Sequence, residues 1–195
     1  MVLTPKEIDK TLNDLQVMSY NVQILYDKVA KRNHELSNLA NMSYYFLWNY
    51  SKSLILTKLL LVDYPQSMQD FAKGQLYVTI NESIKQIIGF GKQRQKSLWI
   101  NEMSKYCSMR SEIKEQYNKI KDAWIEYTNE NEKNKNIKTI RDIATHGDKS
   151  IEKLTKIKSL SLPDVIKTLD WWGKIMWTTA HFTFTCFENE CQQAI

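Results

Sequence analysis

Arg141 and His146 are five residues apart in the segment Ile140-Arg141-Asp142-Ile143-Ala144-Thr145-His146-Gly147-Asp148. Arginine keeps its charge at every physiological pH and offers a fork of donors that fits phosphate oxygens. Histidine titrates near neutrality, so it can accept or deliver a proton. Asp142 and His146 are four apart and share one face of a helix, where the carboxylate can orient the imidazole and hold one tautomer. Arg141 and His146 are instead about 140° apart on a regular helix. A twofold dimer removes that divergence by bringing two copies of the motif into one cleft. The plainer reading makes Arg141 a surface ion-pair residue and His146 a cap at a helix C-terminus, where the helix dipole favours a cation.

The other chemically active residue types are scattered. His34 lies in a polar run and reads as surface or capping. His181 lies among Trp177, Phe182 and Phe184 and reads as a packed helix residue. Cys107, Cys186 and Cys191 are odd in number and form no CxxC, which fits a reduced, cytoplasmic protein. No zinc spacing, Walker loop, dinucleotide fingerprint or triad signature is present, so no metal or cofactor is expected. No secretory signal opens the sequence. The most apolar stretch, Tyr44 to Leu61, is broken by Asn49, Lys52 and Lys58, which suits a buried helix better than a membrane span.

The elements that must position this motif read as helices. The chain has 195 residues, 43% of them hydrophobic and 25% charged, with only five Gly and three Pro. Too few breakers are present for an all-β chain. Thr4-Pro5-Lys6-Glu7 is a capping box with Pro at the first helical position, opening an N-terminal helix within residues 1–34. A central apolar helix follows from about Leu36 to Val62. A short helix from Pro65 to Ala72 is expected to end at Gly74, and Thr79-Ile80-Asn81-Glu82 to cap another that runs to Ile88. Leu76 to Ile80 is the best strand candidate and has no partner.

From Lys92 to about Tyr127 the chain reads as helix again, with its continuity near Ser108 open. Residues 129–136 (NENEKNKN) read as a polar connector. Residues 137–148 form a short helix ending near His146 and Gly147. After a basic loop or ragged helix, a terminal helix rich in aromatic residues spans 163–190, with Trp171 and Trp172 on different faces. The expectation is an all-α chain: one domain over 1–195, an antiparallel bundle of four or more helices. Two stretches, 92–121 and 133–158, each carry a net charge of +5. Such stretches attract phosphate or form a solvated helix face.

The Arg-polar-x-x-x-His pattern at the end of a short helix, followed by a loop and a long terminal helix, resembles the HEPN superfamily. The resemblance covers roughly residues 36–190 in helical outline and nine residues in motif. It implies a homodimeric, metal-independent endoribonuclease of a toxin–antitoxin or phage-defence system, with a composite site across the dimer. It further implies RNA as substrate, an antitoxin or other defence protein as possible partner, and a product ending in a 2′,3′-cyclic phosphate. By this resemblance His146 is the general acid/base, Arg141 stabilises the phosphorane and Asp142 positions His146. Lys138, Lys149 and Lys153 are candidate RNA-backbone ligands, with Lys156 and Lys158 further along the same basic stretch. A toxin subset of the family carries a modified Tyr two residues after the His. Asp148 stands there instead, so that regulation is not expected. Two alternatives stay open: a HEPN-like dimerisation or RNA-binding module without catalysis, and an unrelated helical interaction protein.

Overall fold

The computed structural model describes residues 4–89, 97–129, 131–146 and 151–194; of 131–136, 146 and 151–154 it describes the backbone alone. Every element among the described residues is helical. Helix α1 (Pro5–Lys28) opens with the capping box: Thr4 Oγ1 accepts from the Glu7 amide and the Thr4 amide donates to Glu7 Oε2 at 2.7 Å. It buries Ile8, Leu15 and Val22, one residue every two turns. A single 3-10 turn (Ala30–Arg32) follows. Asn33 then caps α2 (His34–Leu61) by accepting from the amides of Glu35 and Leu36.

Helix α2 is the axis of the bundle. It packs against α1 on one side, against α3 (Gln66–Ile87) on another and against α8 (Leu162–Gln193) beneath. Helix α3 is continuous, where the sequence suggested a break at Gly74 and a second cap at Thr79. Gly74 is retained for packing: a Cβ there would lie 3.1 Å from the Cβ of Ala144. Thr79 is buried inside the helix and donates to the Gln75 carbonyl, so it caps nothing. The strand candidate Leu76 to Ile80 is part of the same helix.

A π-helical turn (Leu98–Met103) leads into α4 (Ser104–Ser108), and the chain breaks at Met109 and Arg110 before α5 (Ser111–Asn129). The break is pinned by Arg110. Its Nε donates to Glu190 Oε1 at 2.8 Å, its Nη1 to the Tyr106 carbonyl at 2.9 Å, and its guanidinium lies over the Tyr106 ring. Helix α6 (Asn131–His146) begins inside the stretch read as a connector, so 131–136 is helix and not a loop. Helix α7 (Ile151–Lys158) occupies the basic segment, and Ser161 caps α8 by accepting from the Asp164 amide.

The core is aromatic. Trp99 stacks on Tyr117 with centroids 5.5 Å apart, and the buried Trp124 donates to Thr179 Oγ1 at 2.9 Å. Trp172 is fully buried, whereas its neighbour Trp171 meets Tyr127 edge-on at 4.5 Å. Each such buried ring contributes about 2–3 kcal/mol by removal from water. Cys107, Cys186 and Cys191 are buried free thiols. No helix among the described residues is long and apolar enough to cross a membrane.

Candidate functional site

Helix α6 is placed by its apolar stripe. Ile137, Ile140 and Ile143 are buried, and α3 is the helix they pack against most extensively. Ala144 closes the contact by approaching Gly74. With that stripe fixed, Arg141 falls at the edge of the α3–α6 seam, its side chain 22% exposed.

Two carboxylates flank the guanidinium. Nη1 lies 2.8 Å from Oδ1 of Asp142, an ion pair between neighbours in sequence. Nε is buried without a hydrogen-bond partner and lies 3.8 Å from Oε1 of Glu82 on α3. Glu82 also meets Tyr45 of α2 electrostatically. Burial first, and then the Glu82 charge, push the Tyr45 phenol up to about 12. Glu82 and Asp142 thus flank Arg141 at the α3–α6 seam, and Tyr45 of α2 is within electrostatic reach of Glu82.

The other residues singled out by sequence are spread over several elements. His146 is the last residue of α6; its side chain, and with it the expected pairing with Asp142, lies outside the described residues. Lys138 is exposed on α6. Lys149 lies outside the described residues, and so does the side chain of Lys153 on α7. Lys156 and Lys158 are exposed on α7. His34 is exposed at the start of α2, 3.4 Å from Asn38. His181 is exposed beside the Trp177 ring and not enclosed by aromatics as its sequence neighbours suggested. Among the described residues no three His, Cys, Asp or Glu side chains converge to hold a metal ion.

A groove of about 290 Å³ runs between α3, α6 and α7, lined by Phe71, Gly74, Gln75, Ile143, Ala144 and Lys158 among others. It adjoins the last turn of α6. Glu82 is the site residue that sequence reading missed. It was assigned to a local cap, and its pairing with Arg141, 59 residues on, has no periodic signature. A comparison with family models, curated proteins and solved structures finds no match to this chain. What the fold defines is a class: an all-α bundle of eight helices among the described residues.

Proposed function

We propose that this chain is a HEPN-like, metal-independent endoribonuclease acting as a homodimer in a toxin–antitoxin or phage-defence setting. The observation that carries the reading is the placement of the motif. Arg141 and His146 share the last two turns of a helix packed against α3, and the Arg141 side chain reaches the edge of that seam, 22% exposed. The exposed part of a guanidinium fork at such an edge matches phosphate oxygens. In this mechanism His146 takes the proton from the attacking 2′-hydroxyl or gives one to the leaving oxygen. Arg141 stabilises the crowded phosphorane, and the product carries a 2′,3′-cyclic phosphate. The basic residues after the motif draw the RNA backbone in.

A second reading is a HEPN-like module that binds RNA or dimerises without cleaving. It is favoured by the flanking of Arg141 by Asp142 and Glu82, which balance its charge in the single protomer. The two readings separate in one assay. Purified protein is incubated with RNA in excess chelator beside His146→Ala. Cleavage that survives chelation and disappears in the variant supports the nuclease. RNA binding without cleavage supports the module.

A further inference from the structure

Phe71 on α3 is a phenylalanine that the bundle leaves uncovered. Phe46, Phe182, Phe184 and Phe187 are buried, whereas Phe71 is 62% exposed. Its ring borders the groove of about 290 Å³ between α3, α6 and α7. The groove opens where α3 and α6 come close at two small residues, Gly74 and Ala144. The buried Ile143 and Ile157 make its apolar floor. Gln75 follows Phe71 by four residues, so its amide shares the ring's face of the helix. Lys158, exposed at the end of α7, brings a positive charge to the rim.

We infer that this groove seats one nucleobase of a single-stranded RNA, stacked on Phe71, with the Gln75 amide bonding to the base edge. The inference rests on the proposed reading in taking RNA as the ligand, and it needs no cleavage.

Charge is the first observation that chooses this occupant. The one carboxylate lining the groove, Asp70, is already engaged within α3: it accepts from Gln66 at 2.8 Å and lies 3.6 Å from the buried Lys73. The rim is left to Lys158, with Lys156 also exposed on α7, at the end of a stretch that carries a net +5. A chain of phosphates is drawn to such a rim.

The second is the mixture of groups. An exposed phenyl ring stacks any base, because every base has a π-face. An amide with two donors and an acceptor one turn away suits a base edge. An acyl chain or an apolar peptide has no use for that amide, and a helix, about 10 Å across, is too wide for the groove.

The third is place. Ile143 and Ala144 belong to the last turn of α6, which ends at His146. Arg141 meets Glu82, eight residues beyond Gly74 on the same α3, or about 12 Å along that helix. A strand that lays a phosphate against Arg141 therefore carries a nearby base past the groove.

The test is fluorescence anisotropy of the full chain with two labelled strands of equal length and charge. One is single-stranded 2′-O-methyl RNA, which lacks the attacking hydroxyl, so binding is read without cleavage. The other is the same backbone without bases. The wild type is expected to bind the strand with bases more tightly. Phe71→Ala should weaken that binding by at least about fivefold and leave the abasic strand unchanged. Phe71→Trp should retain it. Tyr20→Ala, which removes an equally exposed ring from α1, should change neither. Equal binding of both strands by the wild type, or binding of neither, overturns the inference. So does a Phe71→Ala loss that is the same on the abasic strand, or one that Phe71→Trp shares. Cleavage of unmodified RNA, measured on the same samples, keeps the two ideas apart. Base-dependent binding lost in Phe71→Ala, with no cleavage by the wild type, keeps the base seat and removes the nuclease. Cleavage by a wild type whose binding ignores Phe71 keeps the nuclease and removes the base seat.

Discussion

Nη1 of Arg141 lies 2.8 Å from Oδ1 of Asp142, so the carboxylate expected to steady His146 is ion-paired with the arginine one residue before it. Glu82 approaches the same guanidinium from α3 at 3.8 Å. An incoming phosphate therefore competes with carboxylates already in place.

Replacing Glu82 by Gln removes one competitor and keeps the side chain's shape. RNA binding at low salt is expected to tighten by about fivefold, the worth of one charge near 4 Å in a watery site. Fluorescence anisotropy with a labelled single-stranded RNA reads this directly. Arg141→Ala should abolish both binding and the gain from Glu82→Gln; an equal gain without Arg141 would exclude competition for the guanidinium. The same Gln variant should lower the Tyr45 phenol from about 12 while leaving it above its usual 10.0, because burial is the larger cause. Ultraviolet titration of tyrosinate, compared with a Tyr45→Phe control, measures that shift.

Gly74 holds α3 and α6 at close range. A β-branched side chain there meets Ala144 and forces α6 outward. Gly74→Val is expected to destabilise the protein by about 1–3 kcal/mol through overpacking. Urea denaturation measures the loss. Under the nuclease reading, activity should fall further than the unfolded fraction accounts for, since the motif moves with α6.

The indole N–H of Trp124 has its partner in the Thr179 hydroxyl, both groups buried. Thr179→Val keeps the volume and deletes the acceptor. The expected cost is about 1–3 kcal/mol, the penalty for an orphaned buried donor. Thermal unfolding of Thr179→Val against Thr179→Ser, which restores the hydroxyl, distinguishes the lost hydrogen bond from lost packing.

Alkaline pH should weaken the fold through its thiols. Burial pushes Cys107 and Cys186 up from 9.0 to about 12, an effect that the nearby Arg110 only partly opposes. A folded value raised above the unfolded one means the folded state holds the proton more tightly. The resulting stability is fully present below about pH 9 and is lost as the pH climbs toward about 12. Urea midpoints across that window should fall, and Cys186→Ala should fall less steeply. Both thiols should resist iodoacetamide in the native protein and react once it is unfolded.

Helix identity was legible wherever the signal was local. Thr4 and Glu7 announce the start of α1 because a cap is made by neighbours in sequence. The buried stripe of α6 follows from the spacing of Ile137, Ile140 and Ile143. Gly74 misled because a glycine in a helix pattern has two causes, a stop or a close approach. Only the position of Ala144, 70 residues away, distinguishes them. The polar run at 131–136 misled for a related reason: it has no apolar residue to announce a helix, yet it continues directly into the anchored turns of α6.

For the candidate site, the chain order alone supplied the chemical types, with Arg141, Asp142 and His146 at fixed spacing on one helix. Which partners the guanidinium meets depended on long-range packing, because Glu82 reaches Arg141 only when α3 and α6 lie in contact. The exposed face of α2 arose in the same way. Trp48 stands in the stretch read as a buried helix and yet is exposed, since apolar character says that a side chain seeks cover and not where cover is found. In this bundle α8 takes one side of α2, and the opposite side keeps its rings in solvent.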